Sequence, residues 1–239
     1  MFRKVSYLLF CSLILSLSAK AQTIDYDYVT ETVYGVNKNT NGGLIGGLFI
    51  RHSRMIDDNM FHVFGLELSN VKHPKEVRYT SFLGNTYIWG KQNYLYSIRP
   101  HYGRELILFR KAPQQGVQVS AIGAAGPTFG IVSPYYIDYA TSRFDSERVP
   151  FDPSVHDNRG EVLGPGRIFQ GLGESEIKVG AHAKVGLAFE FGTFKTNVTG
   201  VEAGYMIEAF PQEIVLVPTA QNRSVFHSVY ISLYYGLRK

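Results

Sequence analysis

The sequence predicts an all-β protein: a closed, antiparallel, up-and-down transmembrane β-barrel of eight strands, with short periplasmic turns and long extracellular loops. Three observations carry this. Residues 176–192, EIKVGAHAKVGLAFEFG, are apolar at every odd position from Ile177 to Phe191, while Glu176, Lys178, His182, Lys184 and Glu190 fall at even positions. An unbroken period of two is strand patterning, and this run is long enough to cross a bilayer at a tilt. The same pattern recurs along the chain. The segments between the repeats sort by parity into short and long, as barrel turns and loops do.

The segments follow in order. YVTETVYGV (28–36) and GGLIGGLFIR (42–51) are the weakest. FHVFGLELSN (61–70) sets Phe64, Leu66 and Leu68 against Gly65, Glu67 and Ser69. NYLYSIRPHYGRE (93–105) sets Tyr94, Tyr96, Ile98 and Tyr102 against Ser97, Arg99, His101 and Glu105. VQVSAIGAAGPTFG (117–130) shares Val117, Val119, Ala121, Ala125 and Phe129 on one face. After the 176–192 run, TGVEAGYMIEA (199–209) opposes Val201, Ala203, Tyr205 and Ile207 to Glu202, Gly204 and Glu208. The final segment (225–239) aligns Val225, Val229, Ile231, Leu233, Tyr235 and Leu237, with His227 the polar exception. The even-numbered connections, MIDDN, RKAPQQG and GTFKTN, are brief. Among the odd-numbered ones, NKNTN is short, 71–92 is long, 133–175 very long and FPQEIVLVPTAQNR intermediate. A soluble sandwich also alternates, but has no reason to sort its loops this way.

The first residues, MFRKVSYLLFCSLILSLSAKA, read as a secretory signal peptide over 1–21: Arg3 and Lys4, a short apolar run, then Ala19-Lys20-Ala21 as a cleavage site. The barrel is then expected over 22–239. The signal holds the single cysteine, so a cysteine nucleophile, thiolate metal site or disulfide is not expected. It also holds three cations and no acid, so removing it lowers the formal charge from +4 to +1. The basic balance is therefore no argument for nucleic acid. After the signal no run of eighteen apolar residues occurs.

Parity places Glu67, Arg99, His101, Glu105, Lys178, His182, Lys184, Glu190, Glu202 and Glu208 inside the barrel, with Glu31 and Arg51. Eight strands leave room only for side chains, so a paired polar network is expected there. Lys178, His182 and Lys184 are expected to seek Glu67, Glu202 or Glu208. No catalytic, cofactor or metal set emerges. His52-Ser53 and His227-Ser228 are sequence neighbours, so on a strand they face opposite ways. The acids of the 133–175 loop show no calcium spacing, and Gly164-Pro165-Gly166 lacks the lysine of a phosphate loop. That loop carries Tyr135, Tyr136, Tyr139, Phe144, Phe151, Ile168 and Phe169, more large apolar groups than a solvated linker needs, and reads as a candidate partner-contact surface.

GPGRIFQGLGES leading into EIKVGAHAKVGLAFEFG, then VEAGYMIEAFPQE and the terminal YISLYYGLRK, resemble a group of small Bacteroidota outer-membrane β-barrel proteins. The resemblance covers the C-terminal third to half of the chain and carries over no catalytic motif. It implies an accessory subunit of an envelope machine, for outer-membrane protein insertion or type IX secretion. One departure is the ending Leu237-Arg238-Lys239, with the last aromatic at Tyr235. The expectation is a non-enzymatic outer-membrane barrel without cofactor, both termini periplasmic, with outer-membrane lipid and other envelope proteins as partners. The alternatives are a small passive solute or ion channel and a lipid-acting outer-membrane enzyme.

Overall fold

The computed structural model describes residues 28–42, 46–110, 116–142, 144–167, 169–191 and 196–239. The expected signal peptide, 1–21, lies outside them. No helix among the described residues is long and apolar enough to cross a membrane, which says nothing of a β-barrel.

Among the described residues thirteen strands form. β1 (Thr30–Asn39), β2 (Gly47–Asp57), β3 (Met60–Val71), β6 (Asn93–Phe109), β7 (Gln118–Pro134), β11 (Glu176–Phe191), β12 (Asn197–Ile214) and β13 (Arg223–Arg238) close one eight-stranded barrel. Every neighbouring pair is antiparallel, and β1 closes the ring against β13, Tyr34 opposite Tyr235. The other strands lie in two connections at the long-loop end. β4 (Val77–Thr80) and β5 (Thr86–Trp89) make a hairpin; β8 (Tyr136–Ala140), β9 (Ser146–Pro150) and β10 (Val162–Pro165) make a sheet with β8 central. Residues 71–92 and 133–175, expected as loops, thus hold short strands of their own. The first described residues and the C-terminal Lys239 meet at the short-turn end, where Val29 N–H donates to Lys239 C=O at 2.9 Å.

The alternation decides which face each side chain takes. Leu48, Ile50, Phe64, Leu66, Leu68, Val185, Leu187, Val229, Ile231 and Leu233 are all exposed on the outer wall. A continuous apolar exterior is a liability in water and what a hydrocarbon surround requires. Ring closure leaves no barrel edge with unpaired backbone groups, as lipid demands. Five barrel strands run 16 to 18 residues, longer than a bilayer needs. The surplus has a use: β6 pairs with β7 as far as Asn93–Pro134, past Val71–Leu95 where β3 ends, and so carries the outer sheet.

Gly65 faces inward on β3, and a Cβ there would overlap the His101 ring. Gly65→Ala is expected to lower stability by about 1–3 kcal/mol through overpacking. A urea-unfolding midpoint checks this, and the loss should shrink in a His101→Ala background, where the ring is gone.

Candidate functional site

The lumen is built in layers of ion pairs. Near the short-turn end, Arg238 Nε lies 2.6 Å from Glu31 Oε2, and its other nitrogens clasp the Glu190 carboxylate. The same guanidinium stacks on Tyr28, 3.8 Å from the ring centroid. Further in, Glu202 receives Arg51 Nη1 at 2.5 Å, Lys184 Nζ at 3.3 Å and the Tyr230 hydroxyl at 2.7 Å. Glu105 accepts from Ser53 Oγ at 3.4 Å. A third layer centres on Arg99. It donates to Glu208 through Nη2 at 2.5 Å and Nε at 3.2 Å, and to Glu67 through Nη1 at 3.1 Å; Asn37 adds an amide to Glu67 at 3.2 Å. Beside it, the His101 and His182 rings meet edge to face at 5.8 Å, and His182 Nδ1 lies 3.0 Å from Thr128 Oγ1. All these charged side chains are buried, and such charges are tolerable only when paired.

Parity therefore places nine of the ten expected lumen residues in the buried interior. Lys178 is the correction. It sits at the outer rim, half-exposed, and pairs with Glu176 at 2.6 Å. The reason is its position, two residues into β11: the register sets it opposite Gly130, above the charged layers.

The long-loop mouth is shut by an apolar cluster: Val71, Leu95, Phe210, Ile214, Leu216, Val217 and Phe226. Leu216 and Val217 belong to the connection after β12. Its backbone is tied down twice. Leu216 C=O accepts the Gln92 N–H at 2.9 Å, and the Asn222 side-chain oxygen accepts the Leu216 N–H at 2.9 Å. Sequence reasoning missed this plug. The signal was the apolar run IVLV inside an otherwise polar connection.

Above the mouth, Tyr87, Tyr135, Ile137, Phe151 and Val162 form a separate buried core between the β4–β5 hairpin and the outer sheet. Leu163 C=O accepts from Ser81 Oγ at 2.8 Å and Asn85 Nδ2 at 3.0 Å, joining the two pieces. Arg159 lies over Tyr79 and Trp89, 4.8 and 5.2 Å from their centroids. Among the expected contact residues, Tyr135 and Phe151 are corrections: they are inside this core and closed to a partner. Tyr136 donates to Glu174 at 2.6 Å. Phe144 and Phe169 are exposed, and Ile168 lies outside the described residues. The most exposed apolar groups are at hairpin tips: Phe144 at 95% and, unforeseen, Phe82 at 76% beside Leu83.

Several of the loop's carboxylates serve local structure. Asp138 pairs with Arg148 at 2.9 Å, and Asp152 accepts from the Ser154 hydroxyl at 2.6 Å. Among the described residues no group of three or more metal-ligating side chains forms. Tyr139 donates to Glu161, and that bond to the carboxylate pushes the phenol up to about 12 from its ordinary 10.0. A raised acid pKa means the protonated form is favoured in the fold. The contribution is whole below pH 10.0 and is lost as pH rises through about 12. Proteolysis of the outer sheet is expected to accelerate across that window, and the step should be smaller in Tyr139→Phe.

The adjacent His-Ser pairs divide as neighbours on a strand must. His52 Nδ1 meets Thr32 Oγ1 at 2.9 Å on the outer wall, while Ser53 points inward to Glu105. His227 meets Tyr205 on the outer wall at 2.5 Å, and Ser228 is buried.

No protein-family model matches the chain, and no curated protein matches it. Among solved structures it is similar to Ail, the attachment invasion locus protein of Yersinia pestis, at 12% identity over 88% of this chain and 96% of that one, TM-score 0.37. It is similar to Neisserial surface protein A at 11% identity over 88% and 96%, TM-score 0.41. A third is the N-terminal β-barrel domain of Pseudomonas aeruginosa OprF, at 7% identity over 89% and 98%, TM-score 0.35. Likeness at this level carries no argument about activity. The ring of eight strands rests on the chain's own pairing.

Proposed function

We propose that this chain is an integral outer-membrane β-barrel that works outside its lumen, as a non-enzymatic structural or accessory subunit of an envelope complex. The apolar outer wall and closed ring support the membrane location. The sorting of connections supports an orientation with the short turns and both termini in the periplasm and the outer sheet at the cell surface. The resemblance to Bacteroidota barrels supports an accessory role in outer-membrane protein insertion or type IX secretion. One observation carries the reading: an outer sheet and the β4–β5 hairpin share a core above a plugged barrel, and hold Phe144 and Phe82–Leu83 outward at their tips. Apolar groups held out by a rigid scaffold suit contact with a protein partner.

The test is mild detergent extraction from the native host, followed by native electrophoresis. The wild type is expected in a high-mass assembly, and Phe82→Ser/Leu83→Ser to release the barrel while it remains folded. A lone monomer at every detergent concentration would count against the subunit role. In planar bilayers the purified protein is expected to give no steady conductance, because ion pairs and plug fill the lumen. Steady conductance would favour a channel. Altered lipid A in a deletion strain would favour an enzyme.

A further inference from the structure

We propose that the outer wall carries a binding site for the phosphate of a glycerophospholipid, formed by Arg54, His62 and Arg104 at the short-turn end. The proposal rests on the membrane-barrel reading above and goes beyond it by naming one lipid chemistry and one place.

The register assembles the three residues. Arg54 on β2 is directly opposite His62 on β3, and His62 is directly opposite Arg104 on β6. All three fall at outward positions, and both arginines are exposed. Strands lie about 4.8 Å apart, so the two arginine backbones are separated by about 10 Å with the imidazole between them, within reach of one shared anion. Neither arginine has an ion pair among the described residues. Arg104 has only a weak contact, 3.7 Å from Met60 Sδ. The nearby Asp57 carboxylate is turned to the Asn59 amide at 3.0 Å. His62 Nδ1 is held by Tyr102 Oη at 2.7 Å, which leaves Nε2 uncommitted among the described residues.

The surroundings match the rest of such a lipid. One row closer to the barrel's middle, Phe64 faces Tyr102 across the strands, ring centroids 5.2 Å apart. Arg54, Met55, His62, Phe64 and Tyr102 line an open groove of about 420 Å³. Apolar wall continues above it through Leu66 and Leu68. An unpaired guanidinium against hydrocarbon is costly. A phosphate diester at the leaflet surface relieves that cost through charge-assisted, forked hydrogen bonds, while the aromatic pair takes the glycerol and upper acyl chain.

The experiment uses the full mature barrel, refolded in detergent and analysed by native mass spectrometry with added phosphatidylglycerol or diacylglycerol. One phosphatidylglycerol is expected to remain bound per barrel, and diacylglycerol to be lost. Arg54→Gln/Arg104→Gln is expected to weaken phosphatidylglycerol retention by about tenfold, and Arg54→Lys/Arg104→Lys to recover part of it. The heat-dependent gel mobility of folded barrels checks that each variant folds. Equal retention of the two lipids, or no loss in the glutamine variant, would overturn the site. Displacement by millimolar inorganic phosphate would show that the groove takes phosphate itself and would overturn the lipid assignment. Failure of the wild type to insert into liposomes would instead overturn the membrane reading, and this site with it.

Discussion

Arg99→Met is expected to lower the stability of the folded barrel by about 3–5 kcal/mol, the cost of removing one partner from a buried charge cluster. Arg99 is 2% exposed and holds Glu67 and Glu208 together. Methionine matches much of its volume but leaves two carboxylates facing each other in the lumen, with the Asn37 amide as the one remaining hydrogen-bond donor shown to Glu67. The measurement is the urea midpoint of refolded protein, read from the mobility difference between folded and heated samples. The informative control is Arg99→Met/Glu67→Gln/Glu208→Gln. Neutralising the stranded carboxylates should restore most of the loss, because the penalty lies in the unpaired charges rather than in the missing contacts. A single mutant within about 0.5 kcal/mol of wild type would mean that water reaches this layer.

Leu216→Ala carries the second large effect. Leu216 is fully buried in the plug, among Leu95, Phe210 and Phe226. Deleting its branched end leaves a cavity whose lining is held by three barrel strands, β6, β12 and β13, and should cost about 2–5 kcal/mol. The loss should be local as well as global. The Asn222 clamp grips the Leu216 and Val217 backbone, so a loosened plug exposes the connection after β12. Faster cleavage there by added protease, ahead of the barrel strands, is the expected pattern. Conductance should stay absent, because the Arg99, Arg51 and Arg238 layers still fill the barrel beneath. A conducting Leu216→Ala protein would show that the plug alone seals it.

Much of this was legible in the chain, for a physical reason. A strand has period two, so a barrel strand states its inside and outside in its residues. EIKVGAHAKVGLAFEFG announces both faces, and the buried positions of His182, Lys184 and Glu190 follow from parity. Parity says nothing about height. Lys178 obeys the alternation yet escapes the network because it lies near the end of its strand. The same limit hid the outward-facing cations: Arg54, His62 and Arg104 are 8 and 42 residues apart in sequence order and share a row only through the registers of β2, β3 and β6.

The connections were less legible. Aromatic content marked 133–175 as more than a linker, but composition does not distinguish a ring that builds a core from one that faces out. Tyr135 and Phe151 are buried, while Phe144 is exposed, and the difference depends on where the β4–β5 hairpin docks. The IVLV run looked like part of a loop, and only its fold-back into the mouth gives it the role of a plug.

The sequence by itself determined the strand segments, the two faces of each and the division into short and long connections, because those follow from local periodicity and turn chemistry. The tertiary structure decided which charges pair, what closes the mouth, which aromatics remain outside and which cations share a row. Those outcomes depend on register, a relation between strands that no single segment contains.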